Sequence, residues 1–207
     1  MHTGGGFFDC ERLLLACPAN AQARLLRGLD PEAAAALDTI ASAPATVVVT
    51  GWPEGTFARE PEGFGVLVGR KDNRSDPATA GVLGTVFTSQ VFPDQARHGE
   101  HLLRTIVGGG ILPEAATLPD DLLVARVRAH LERCLGPAHG QPSFLKIIRH
   151  PLGIPQLEVG HRKKVAAARG AEARHWGLIL LGNHLDGLGV KDCVRAGEVA
   201  AARALRS

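Results

Sequence analysis

The sequence predicts an α/β fold built around a mixed sheet, and three observations carry that prediction. Between about Ala45 and Gly110 the apolar pattern keeps the two-residue period of strands, in "TVVVTGW", "GFGVLVG", "GVLGTVFTSQVF" and "HLLRTIVGGG". On either side it lengthens to the period of helices, in "PEAAAALDTIAS", "DDLLVARVRAHLERCL" and "RKKVAAARGAEAR". Near the end an apolar run, "LILL", stops at Gly182-Asn183, and a glycine-rich turn leads into a last helix. Several strands, a helix, a strand, then helix–strand–helix is an α/β order.

Taken in order, "MHTGGGFFDCERLLLACPAN" reads as a glycine turn, a strand and an exit at Pro18. The strand-like run begins within a few residues of Met1, as the second arm of a hairpin would. "AQARLLRGL" is a short helix. Asp30-Pro31-Glu32 then supplies an N-cap, a proline at the first helical position and an acid in the first turn, so a helix follows and ends near Pro44. The central strands are separated by turn chemistry in "KDNRSDP" and "FPDQARHG", and "VGGGILPE" reads as a bend or close backbone approach. After "LPDD", Asp120 caps a helix whose Leu123, Val127, Leu131 and Cys134 or Leu135 form one apolar stripe, stopped by Gly136-Pro137. "SFLKIIRH" is a strand, and "IPQLEVGH" an extended link into the next helix. The last helix offers a face of Val190, Cys193, Val194, Gly197 and Ala201, small enough to pack closely on a sheet.

Bulk properties exclude several functions. The chain has 207 residues, 45% hydrophobic and 21% charged, with a formal net charge of +2. No basic stripe interleaved with aromatics supports nucleic-acid binding, and no apolar run reaches the length of a membrane span. Cys10, Cys17, Cys134 and Cys193 show neither paired metal spacing nor a disulfide framework, and read as buried free thiols of a reducing cytoplasm. His98 and His101 in "RHGEH" read as a solvated loop rather than a metal site.

Two glycine-rich segments compete as ligand sites. "GFGVLVG" has the spacing of a dinucleotide fingerprint, but its glycines lie within a strand with no helix after them. They fit close approach to a large ligand or a neighbouring strand better. "GNHLDGLGVKDC" has strand, turn and helix in order, and the free N–H groups and dipole at the helix start favour an anion or the polar edge of a flavin. No nucleophile–base pair emerges, as expected where the chemistry belongs to a bound cofactor.

The ordered set "GFGVLVG", "LGTVFTSQVFPDQA", "LLRTIVGGG", "PDDLLVARVRAHLERCLG", "IPQLEVGH" and "LLGNHLDGLGVKDCVRAGEVAA" resembles the C-terminal half of the oxygen-dependent protoporphyrinogen oxidase and coproporphyrinogen III oxidase family, within the FAD-containing amine-oxidase superfamily. "ERLLLACPANAQARLL" is similar to the family's strand–helix segment just upstream. The resemblance implies an FAD-dependent oxidation of protoporphyrinogen IX or coproporphyrinogen III to the porphyrin in heme biosynthesis, with O2 as acceptor. It implies that Leu67, Val86 and Ile106 line the substrate cavity beside the flavin. It further implies that Leu188, Gly189 and Val190 form the turn whose backbone faces the FAD, and that His150 falls where relatives often carry a Trp close to the flavin. No metal is implied.

On the same basis residues 1–20 are a strand segment of the FAD domain, residues 21–160 a mixed-sheet substrate-binding domain, and residues 161–207 an FAD-domain helix–strand–helix. The Rossmann half that begins family members, with its G-x-G-x-x-G, is absent from these 207 residues. The chain is therefore expected to have little or no oxidase activity without that half. A separate chain supplying it, and a homo-oligomer, are the candidate protein partners. The expected location is cytoplasmic, with any peripheral membrane contact made through the absent region. Three departures bear on substrate detail: Leu157 replaces the Tyr of the family's "PQY", Leu185 replaces a second Tyr, and Gln95 replaces an Arg. The alternative readings are a non-catalytic remnant or binding module of the same fold, and another branch of the superfamily.

Overall fold

A computed structural model describes residues 2–3 and 5–205. In chain order the elements are β1 (His2–Thr3), β2 (Gly6–Phe7), β3 (Leu13–Leu15), α1 (Ala19–Leu26), α2 (Pro31–Asp38), β4 (Ser42–Pro53), β5 (Gly65–Leu67), α3 (Asp72–Ser75), β6 (Val82–Phe87), α4 (Thr88–Val91), β7 (Glu100–Gly108), α5 (Asp120–Leu135), β8 (Phe144–Pro155), α6 (His161–Arg174), β9 (Leu178–Leu180), α7 (Asn183–Asp186) and α8 (Val190–Ala204). They form two compact units, Met1–Ser42 with Pro155–Ser207, and Ala43–Ile154. The sequence reading divides the chain at 20/21 and 160/161 instead. α1 and α2 belong to the flanking unit because their buried faces share a core with α6 and β9.

The central unit is a five-stranded sheet in the order β5-β6-β7-β4-β8. The pairs β5/β6, β6/β7 and β4/β7 are antiparallel. Strand alternation puts Val48, Val82, Phe87, Leu103 and Val107 on one face, where they share a core with Leu123, Val127, Leu131 and Leu135 of α5. The expected stripe of α5 is thus the buried one. Two polar contacts sit on this face: Thr85 and Thr105 join through their hydroxyls at 2.7 Å, and Thr46 donates to the Ala116 carbonyl at 2.7 Å, while the buried Thr50 hydroxyl has no partner among the described residues. Gly108 and Gly109 hold φ of +106° and +73°, and a Cβ on Gly108 would lie 2.6 Å from that of Ala116. The "VGGG" bend is such a close approach.

In the flanking unit β3 and β9 run parallel, Leu13 opposite Leu178 and Leu15 opposite Leu180. The "LLL" run is therefore a parallel partner of β9 and not a hairpin arm; the tight hairpin is β1 with β2. Gln22 ties the pair to α1, its Nε2 donating to the carbonyls of Leu15, Cys17 and Leu181 at 2.8–3.0 Å.

Several expected boundaries move for local reasons. α2 stops at Asp38 rather than near Pro44, since β4 already begins at Ser42. The "KDNRSDP" turn contains one helical turn, α3. "TSQV" leaves the strand to form α4, with the Phe92 N–H closing on the Thr88 carbonyl at 2.7 Å. Asp120 is the first helical residue rather than the cap, and its carboxylate pairs with Arg149. β8 continues through Pro151 to Pro155, which its place at the edge of the sheet permits.

Candidate functional site

The face of the central sheet turned away from α5 is apolar and open. Register places Leu67 opposite Gly84, Gly84 opposite Ile106, and Ile106 opposite Val47, so one row crosses four strands. The next row on the same face is Gly65, Val86, Arg104 and Val49. Leu67 is 91% exposed, Val86 and Ile106 are half-buried, and Arg104 is exposed. The three residues expected at the substrate cavity thus share one face in adjacent rows, and that face is not the core. Gly65 and Gly84 let the strands close up: a Cβ on Gly65 would lie 2.2 Å from the Thr85 carbonyl oxygen, and one on Gly84 2.4 Å from that of Val66. Of the glycines of "GFGVLVG", Gly65 serves strand approach, whereas a Cβ on Gly63 would meet nothing within 4 Å and one on Gly69 only the Asp72 side chain. Toward Glu100 the face deepens into a cavity of about 260 Å³ lined by Val49, Gly51, Arg97, Leu102 and Phe144.

In the flanking unit, Leu188-Gly189-Val190 forms the entry to α8. The chain does not run straight from β9 into that helix, because the one-turn α7 intervenes. Gly189 N–H is already taken by the Asp192 carboxylate at 3.2 Å, so the helix start is capped from within. A second anion at that N–H would compete with Asp192, whereas no side chain caps the other N–H groups of the first turn. Leu188 and Val190 stay exposed at 46% and 82% beside this turn. An apolar pair flanking bare backbone fits the edge of a flat heterocycle better than a phosphate.

Beside the turn sits His184, 1% exposed, with neither ring nitrogen hydrogen-bonded among the described residues. Burial lowers its pKa from 6.5 to about 4, helped by His161 and Arg169 and opposed by Asp186. Its ring packs on Gly182, where a Cβ would lie 2.8 Å from Cε1.

His150 is in the central unit, exposed on β8, where it lines a groove with Pro44, Ala45, Thr46, Ala116 and Arg149. Other expectations are corrected. His101 is not in a solvated loop: it is 7% exposed within β7 and pairs with Glu60. Its partner is 41 residues away in sequence, beyond any local signal. The thiols are unpaired but not all buried, since Cys10 and Cys193 are exposed. The small face of α8 covers no sheet among the described residues: Val190 and Val194 are 82% and 57% exposed, and Ala200 on the other side is the buried residue. Arg104 escaped the sequence reading, although an arginine between Leu102 and Ile106 on one strand face is a readable signal. No helix among the described residues is long and apolar enough to cross a membrane.

Comparison with known proteins agrees with this architecture. The sequence profile of the flavin containing amine oxidoreductase family matches residues 1–205. The coproporphyrinogen III oxidase of Bacillus subtilis is 28% identical over 97% of this chain and 41% of its own length. That of Propionibacterium freudenreichii is 33% identical over 92% of this chain and 34% of its own. A crystal structure from Exiguobacterium sp. 255-15, of a candidate protoporphyrinogen oxidase, superposes with a TM-score of 0.74 and 24% identity over 99% of this chain and 43% of that one. The chain spans about two fifths or less of the curated relatives it matches. Because the family profile spans nearly the whole chain, the chain belongs to the flavin containing amine oxidoreductases.

Proposed function

We propose that this chain contributes the substrate-binding sheet and a flavin-facing turn to an FAD-dependent porphyrinogen oxidase, which converts protoporphyrinogen IX or coproporphyrinogen III to the porphyrin with O2 as acceptor. The observation that carries the reading is the open apolar face on which Leu67, Val86 and Ile106 stand in adjacent rows. A tetrapyrrole is a broad apolar disc. A flat sheet face kept low by Gly65 and Gly84 offers it contact without a protruding side chain at its centre.

Bound FAD would supply the two-electron acceptor. This chain's own part is positional: the sheet face orients the macrocycle and excludes water from one side, while Leu188, Gly189 and Val190 flank the flavin through backbone and apolar contact. Asp192 already occupies the Gly189 N–H, which leaves one donor fewer for a pyrophosphate at this turn and supports a requirement for a partner half carrying the dinucleotide fold. The test is to purify the chain alone and together with such a half, then record flavin absorbance and porphyrin fluorescence. The expected outcome is a colourless lone chain, with flavin and oxidase activity appearing only in the combination. Stoichiometric FAD on the lone chain would overturn the shared-site reading.

A second reading, a non-catalytic binding module of the same fold, is favoured by the uncovered apolar residues of α8. It predicts a colourless protein that self-associates and gains no flavin from any added half.

A further inference from the structure

We propose that Arg104 anchors a carboxylate of the tetrapyrrole on the open sheet face and so sets which edge of the macrocycle lies over Val86 and Ile106; the inference rests on the substrate reading above. Along β7, Leu102 and Ile106 are the same-face neighbours of Arg104, and across the sheet its register partners are Val49 and Val86. Cross-strand neighbours stand about 5 Å apart and same-face residues along a strand about 7 Å apart, so the immediate surroundings of the guanidinium are apolar. Among the described residues the Arg104 side chain makes no hydrogen bond or ion pair, although twelve ion pairs engage other side chains. Glu100, the acid on the same strand and face, is four residues along, about 13 Å of strand rise away.

Apolar contact alone would hold the disc without fixing its rotation. A planar, permanently charged fork with five donors fits a carboxylate in two-point contact, and its apolar neighbours limit competition from water. The ligand this arrangement recognises has a flat apolar body and an acidic edge, as a porphyrinogen with its propionates does. The row beside it, Leu67, Gly84 and Ile106, leaves a low centre on which such a body can lie.

The test titrates the full 207-residue chain with protoporphyrin IX and with its dimethyl ester, read by the shift of the porphyrin absorbance band. Wild type should bind the diacid more tightly than the diester. Arg104→Gln should weaken the diacid about 10- to 100-fold, the range of one charge-assisted hydrogen-bonded pair, and leave the diester within about twofold. Arg104→Lys should recover part of the loss, and Arg104→Glu should abolish diacid binding while keeping the diester. Diacid affinity unchanged in Arg104→Gln, or diester affinity falling in parallel, overturns the anchor while the substrate reading stands. Binding of neither porphyrin to wild type overturns both. Thermal melts of all variants should coincide, because Arg104 is exposed and unpaired; a lowered melt in Arg104→Gln would instead assign it a structural role.

Discussion

At Gly84 the absence of a side chain is a requirement of the sheet. A Cβ there would run into the Val66 carbonyl oxygen at 2.4 Å and the Leu67 Cα at 3.2 Å, both backbone. Neither can move without parting β5 from β6. Gly84→Ala should therefore cost about 2–4 kcal/mol, the range of a forced backbone shift, against under about 1 kcal/mol for the same change at an unconstrained strand position. Urea unfolding measures it; a loss under about 0.5 kcal/mol would mean that the two strands slide freely. Sequence made this residue half legible. Glycine inside a strand signals close approach, but only register shows which carbonyl it meets. Leu67, Val86 and Ile106 were legible as strand residues through family motifs, yet periodicity alone could not tell an open face from a core face. His101 was illegible, because burial by Glu60 depends on a contact the local pattern does not contain.

At the scale of an element, α2 shows the same division. The Asp-Pro-Glu signal gives the cap directly, and Asp30 accepts from the Ala33 N–H at 3.0 Å. What the sequence does not show is that Arg174 and His175, at the end of α6, reach the same carboxylate at 2.8–3.1 Å. One buried acid thus caps one helix and fastens another. The Arg174 guanidinium, then the Ala33 N–H, hold its carboxyl well below the usual carboxylate range, against the opposing effect of burial. Asp30→Ala should cost about 1–2 kcal/mol for the cap alone, and more with the fastening lost. Asp30→Asn should keep part of the cap and lose the ion pair. A double-mutant cycle with Arg174→Ala separates the two; if the cycle closes without coupling, the fastening contributes nothing and only the cap matters. α8 went the other way. Its face of small residues was legible as a packing surface, but Val190 and Val194 on it stay exposed among the described residues, and the exposure could not be read from the sequence.

Across the whole molecule these buried polar groups set the response to acid. The flanking unit buries His184, and the central unit buries His101, paired with Glu60, and His130, 3% exposed on α5. Burial lowers the His130 pKa from 6.5 to about 4, assisted by the positive charge of Arg133, and brings His184 to about 4 as well. In the unfolded chain both titrate near 6.5. Between those values the unfolded state binds more protons than the folded one, so stability is full above about pH 6.5 and falls as the pH drops toward 4. Each histidine should remove stability of the order of 2–3 kcal/mol over that window. Asp30 acts lower down. Its folded pKa is depressed, so its contribution is present above the ordinary carboxylate value of 3.8 and is lost only as the pH falls beneath it. The profile should thus show two separate declines. His184→Leu has little to lose at neutral pH, since both ring nitrogens already lack partners, and with His130→Leu it should flatten the decline between pH 6.5 and 4.5. Asp30→Asn should leave that decline intact and reduce the one below pH 4. Urea midpoints taken every half unit from pH 7.5 to 3 test this, and a wild-type profile level from 7 to 4.5 would mean that the two histidines reach water in the folded protein.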